Sequence, residues 1–246
     1  MKYMGSKNRI AKEILPIILK NRKEGQFYIE PFVGGANIID KVENPRIGID
    51  INKYLIALLN AMSTGWQPPK VITEELYKRV KDNQNQYPDY LVGFIGICCS
   101  FGAKWFGGYV RGKKNNGESR KYALESYNNI LKQSVNLKEV VFRNITYSDF
   151  EYPDNSVIYC DPPYESTTKY KDSFDHSKFW NWVRNMTNKG HTVFVSEYNA
   201  PEDFECVWEK EVTCSIQANA KEGEYKKSVE KLFKLNTTGF KPEANK

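Results

Sequence analysis

The sequence predicts a mixed α/β fold built on a mostly parallel sheet, and three observations carry that expectation. Short apolar runs alternate along the chain with segments whose apolar residues recur at helical spacing. Two of the runs, FYIEP (27–31) and VIYC (157–160), read as buried strands. Near the end, ECVWEKEVTCS (205–215) and KSVEKLFKL (227–235) flank the polar loop NAKEGEY and read as an antiparallel hairpin.

The elements follow in order. Residues 7–23 predict a helix with Ile10, Ile14, Leu15, Ile17 and Ile18 on one face, kinked or restarted at Pro16. FYIEP is the first strand, followed by the turn FVGGAN (32–37) and a short helix to about Glu43. RIGID (46–50) is the next strand, and 52–63 repeats apolar residues at helical spacing. GWQPP (65–69) then breaks the pattern. Helical stretches around Glu74–Lys81, Tyr90–Cys99 and Lys121–Val135 form an expected insertion, 65–136, with a glycine-rich aromatic loop at 100–117. Strands resume at VVFRNI (140–145), SVIYCD (156–161) and HTVFVSEY (191–198), with a helix at about 178–188. Residues 1–64 and 137–246 are therefore expected to form the main domain.

The 246 residues, 40% of them hydrophobic, suffice for one core or a core with a small subdomain. No run approaches the length of a membrane span, and MKYMGSKNRI lacks the apolar stretch of a signal peptide. The five cysteines are odd in number and lack CxxC spacing, so a zinc site or disulfide framework is not expected. The two histidines, His176 and His191, read as surface or packing residues. Net charge is +6, and residues 1–25 and 101–121 each carry +5. Such stretches are solvated faces or a surface for a polyanion.

Two turns suggest chemistry. Gly34 and Gly35 lie between a strand and a helix, where open parallel sheets bind ligands. The pattern is not GxGxxG, so a dinucleotide fingerprint is not indicated. Asp50 closes the next strand, where its carboxylate suits either the two hydroxyls of a ribose or a helix N-terminus. The second turn is Asp161-Pro162-Pro163-Tyr164, at the end of VIYC. The prolines stiffen it, and the Asp161 carboxylate and Pro162 carbonyl form two rigid acceptors beside the Tyr164 ring. An exocyclic amine on a planar base would satisfy that set.

The ordered pair FVGGAN and DPPY resembles the Dam-type (D12 class, α group) DNA adenine-N6 methyltransferases. KYMGSK (2–7) resembles that family's N-terminal KWxGGK element, with Tyr3 for tryptophan and Ser6 for glycine. SDF (148–150) is similar to the cofactor-adenine segment, and SEYN (196–199) to the later motif lining the target pocket. The resemblance implies a class I Rossmann-like methyltransferase sheet, last strand antiparallel, with an inserted helical DNA-recognition subdomain. It implies S-adenosylmethionine as cofactor, with Tyr3 and Lys7 at its methionine end and Phe32, Gly34 and Gly35 lining it. Asp50 would hold its ribose, Asp149 and Phe150 its adenine, with Asp161 also at its edge.

Asp161, Pro162 and Tyr164 would then hold a target adenine flipped from double-stranded DNA. The basic loop would meet that DNA through Lys104, Trp105, Tyr109, Arg111, Lys113, Lys114, Asn115 and Asn116, and the segment 166–175 through Tyr170 and Lys171. A monomer without a metal, cytoplasmic and bacterial or phage-encoded, is the accompanying expectation, with restriction-modification, regulation and phage protection as the alternative settings. Methylation of cytosine N4 or RNA, or a silent DNA-binding relative, are the alternatives.

Overall fold

The computed structural model describes residues 1–113, 117–165, 174–213 and 227–237. Lys114, Asn115, Asn116, Tyr170 and Lys171 lie outside the described residues, as does the hairpin loop NAKEGEY. The chain divides into two compact units, Met1–Glu13 with Phe27–Phe150, and Ile14–Gln26 with Glu151–Lys246.

In the first unit, strands β1 (Tyr28–Glu30), β2 (Arg46–Asp50) and β3 (Val141–Asn144) pair in parallel in the order β3-β2-β1. Tyr28, Ile29, Ile49 and Phe142 are buried, and each such side chain contributes roughly 1.5–3 kcal/mol. Helix α2 (Lys53–Ser63) buries Leu55, Ile56, Leu58, Leu59 and Met62. Its N-cap is Asn52, whose side chain accepts from the N–H groups of Tyr54 and Leu55. The insertion carries α3 (Glu74–Asp82), α4 (Asp89–Gly93) and α5 (Tyr122–Ser134), and lies within this unit. After α4 the chain widens into a π-helical turn, Phe94–Cys98, rather than continuing as one α-helix to Cys99.

The second unit holds β4 (Val157–Cys160), β5 (Thr192–Glu197), β6 (Phe204–Thr213) and β7 (Lys227–Leu235), in the order β4-β5-β7-β6. β4 and β5 are parallel, and β7 runs antiparallel to both β5 and β6, so the hairpin forms as expected. Every residue of β4 is buried, which its unbroken apolar run requires. Helix α6 (His176–Asn188) is capped by Asp175 and buries Phe179, Trp180, Val183 and Met186. The whole is the mostly parallel α/β class, with an antiparallel last strand, that the pattern predicted.

Two local expectations change. The first helix begins as a 3-10 turn (Lys7–Arg9), and α1 runs only from Ala11 to Ile18, with Pro16 inside it. The segment after FVGGAN forms only a 3-10 turn, Ile39–Lys41. The Ile39 carbonyl accepts both from the Val42 N–H at 3.2 Å and from the buried Arg46 guanidinium at 3.0 Å, and Gln133 takes the carbonyls of Gly35 and Ala36 in the turn before it. Among the described residues no helix is long and apolar enough to cross a membrane.

Candidate active site

The first cluster surrounds the turn between β1 and the 3-10 turn. Built on Gly34, a Cβ would lie 2.8 Å from the Tyr3 ring; on Gly35, 2.5 Å from Tyr3 Cβ and 2.6 Å from Asn37 Nδ2. The two glycines therefore seat Tyr3, and any side chain there would push it out. Lys7 is buried, not a solvated helix-start lysine, and its ammonium donates to Gly5 O at 3.2 Å. Asp50 Oδ2 accepts from the Gly34 N–H at 3.3 Å and Oδ1 from Asn52 at 2.9 Å. Burial raises the Asp50 carboxyl above its ordinary range, while the N–H groups of Asn52, Gly34 and Ile51 pull the other way. Helix capping is thus performed by Asn52, and Asp50 ties β2 to the glycine turn.

Phe32 is half-buried and faces Tyr147, ring centroids 5.3 Å apart. Tyr147 immediately precedes the SDF segment, and sequence reasoning passed it over. Asp149 is exposed and accepts from Ser148 Oγ at 3.1 Å; Phe150 is half-buried. Gln133, 98 residues from Gly35, reaches the back of the turn, with its amide nitrogen 3.1 Å from Gly35 O and 2.9 Å from Ala36 O. No local signal in the sequence marks it. Asn37 Nδ2 is buried and has no hydrogen-bond partner among the described residues. A buried donor without an acceptor, beside glycines and a carboxylate, fits a polar ligand at this turn.

The second cluster lies at the ends of β4 and β5. Pro162 and Tyr164 are buried and Asp161 is half-buried. The Tyr164 hydroxyl donates to Glu230 Oε2 at 3.0 Å, and its ring meets Tyr198 edge-on, centroids 4.7 Å apart at 84°. Burial, followed by the charges of Asp161 and Glu230, holds the phenol neutral well above its ordinary value. Glu197 is also buried and accepts N–H bonds from Tyr198 and Glu165. Glu197 lies within the SEYN segment, whereas Glu230 did not stand out as a site residue, because it comes from a strand distant in sequence from the turn. His191 is buried too, its Nδ1 accepting from the Ser156 N–H at 3.1 Å.

In the basic loop, Lys104 and Lys113 are exposed. Arg111 is exposed but pairs with Glu74. Trp105 stacks on Tyr54, centroids 5.2 Å apart at 21°, and the Trp105 and Phe106 rings leave no room for a Cβ on Gly96. The Tyr109 hydroxyl donates to Ile72 O at 2.8 Å. The most exposed ring of the loop is Phe101, at 60%, which the sequence reading did not single out.

The chain is 25% identical to the type II methyltransferase M.FokI of Planomicrobium okeanokoites, over 76% of this chain and 32% of that protein, so it spans about a third of its relative's length. Among solved structures it is similar to the tRNA (m1A58) methyltransferase TrmI of Aquifex aeolicus, at 12% identity over 91% of this chain and 68% of that one, with a TM-score of 0.39. It is also similar to SMU.472, solved complexed with SAH, at 12% identity over 96% of this chain and 54% of that one, with a TM-score of 0.34. A family model matches residues 3–211, and the chain belongs to the D12 class of N6 adenine-specific DNA methyltransferases.

Proposed function

We propose that this chain methylates N6 of an adenine swung out of double-stranded DNA. The cofactor is S-adenosylmethionine, as the family requires. When bound, it supplies a methyl group already activated as part of a sulfonium. Tyr3, Lys7, Phe32, Gly34, Gly35, Asp50, Asp149 and Phe150 would hold it, with Asp161 at its edge. The unpartnered Asn37 donor and the half-buried Asp50 acceptor support that fit.

The observation that carries the reading is the acceptor corner at the end of β4. Asp161 and Pro162 offer a carboxylate and a carbonyl on a backbone whose φ two prolines fix. Two acceptors take the two N–H bonds of an exocyclic amine, and the nitrogen lone pair is drawn out of conjugation. Tyr164 and Tyr198 form an aromatic wall beside that corner. After transfer the nitrogen is cationic, and Asp161 passes its surplus proton to water. Flipping the base costs a few kcal/mol, offset by contacts in the pocket.

Lys104 and Lys113 would bind phosphates, joined by Lys114, and Asn115 or Asn116 would reach base edges, with Tyr170 and Lys171 near the strand. Phe101 is better exposed than the stacked Trp105 or the tethered Tyr109 to fill the gap a flipped base leaves. A cytoplasmic restriction-modification role goes with this reading. The test is methylation of a plasmid library, read by sequencing that detects modified bases. The expected result is N6-methyladenine at one short site, lost in Asp161→Ala. N4-methylcytosine would replace the substrate assignment, and near-normal activity of Asp161→Ala would remove its role.

A further inference from the structure

Glu197 closes β5 and is 3% exposed. Its Oε1 accepts the Tyr198 N–H at 2.8 Å and its Oε2 the Glu165 N–H at 3.3 Å. The second bond is the informative one. Glu165 follows Tyr164 directly, so Glu197 grips the exit of the Asp161–Tyr164 turn, while β4 fixes its entry. Prolines set φ within the turn, but the direction of the turn depends on where both ends are held.

We propose that Glu197 is a positioning residue for methyl transfer: its ionised carboxylate clamps the exit of the Asp161–Tyr164 turn through the Glu165 N–H, and the turn loosens when that carboxylate takes up a proton. The inference rests on the methyl-transfer reading above. Two N–H groups on one carboxylate form charge-assisted bonds. Protonation weakens both and turns one oxygen into a donor facing an N–H.

The electrostatic setting brings this changeover into the working pH range. Burial pushes the Glu197 carboxyl up to about 7, the N–H groups of Tyr198 and Glu165 oppose the rise, and the charges of Asp161 and Glu165 add to it. Other charged groups of the neighbourhood are Glu230 on β7, which holds the Tyr164 hydroxyl, and Lys231, the register partner of Glu197 on the same strand.

Two measurements test the clamp. In ¹⁵N-labelled wild-type protein, the Glu165 amide resonance should titrate with a midpoint near 7, and Glu197→Gln should abolish that titration. In methylation assays, wild-type kcat should fall as the pH drops below about 7. Glu197→Gln should show a kcat roughly tenfold lower at pH 8 and nearly flat with pH, because an amide offers one acceptor oxygen and no charge. Glu197→Asp, which keeps the charge, should recover part of the loss and the pH limb. A Glu165 amide that does not titrate, or a Glu197→Gln enzyme with the wild-type profile, would overturn the inference alone. A wild-type protein that methylates no DNA would remove the methyl-transfer reading and the inference with it.

Discussion

Tyr164 and Glu230 are joined by a 3.0 Å hydrogen bond between the phenol and a carboxylate on β7. The hydroxyl therefore has a structural partner, and on the proposed function it is the ring that would meet a target base. Tyr164→Phe should lower stability by about 1–2 kcal/mol and keep methylation within about tenfold of wild type. Tyr164→Ala should lose more than about a hundredfold, since the aromatic wall goes with it. Steady-state methylation with a labelled cofactor and thermal unfolding distinguish the two.

Gly35→Ala places a methyl 2.5 Å from Tyr3 Cβ and 2.6 Å from Asn37 Nδ2. Overpacking of this kind costs about 1–3 kcal/mol. Cofactor affinity measured by calorimetry should fall at least about tenfold, because Tyr3 and Asn37 both shift. Gly25→Ala is a matched control for folding, because a Cβ there meets nothing within 4 Å although φ is positive. An unchanged affinity in Gly35→Ala would detach Tyr3 and Asn37 from the cofactor.

His191 and Glu197 give stability opposite dependences on pH. Burial lowers the His191 imidazole below its ordinary value of 6.5, and its Nδ1 must stay neutral to accept from Ser156. Its contribution is complete above 6.5 and is lost as the pH falls through the lowered folded value. Glu197 is raised, so its contribution is complete below its ordinary 4.5 and is lost as the pH rises through about 7. Melting temperatures of His191→Leu across this range should start lower than wild type, with the Ser156 N–H unpaired, and should no longer drop on acidification below 6.5.

Charge reversal at Lys104 and Lys113 should weaken DNA binding at every sequence alike. Each lost phosphate contact should flatten the slope of log K against log salt by about 0.9. Arg111→Ala should do less, because its guanidinium already pairs with Glu74. Salt titrations of binding by fluorescence anisotropy measure both.

The strands were legible because a buried strand needs an unbroken apolar run; VIYC is buried at all four positions. The hairpin was legible because its polar loop separates two β-rich segments. The two turns were legible because prolines and paired glycines have local consequences. What escaped was set by residues far apart in the chain. Nothing near Arg111 announces Glu74, and nothing near Gly35 announces Gln133. Likewise Glu230 reaches Tyr164 only because β7 turns back along β5. The burial of Lys7 and His191 likewise comes from the assembled unit and not from their neighbours in sequence.

The amide of Gln133 sits one residue from the end of α5 and holds the glycine turn from behind. Anyone grafting a new specificity loop onto this scaffold thus faces a fixed splice point. A transplant that ends before Ser126, whose hydroxyl anchors the helix to Cys98 O at 2.8 Å, leaves that brace in place. One that runs on through α5 also replaces the brace of the glycine turn, and on the proposed function such a chimaera should fail at donor binding however well it recognises its new target.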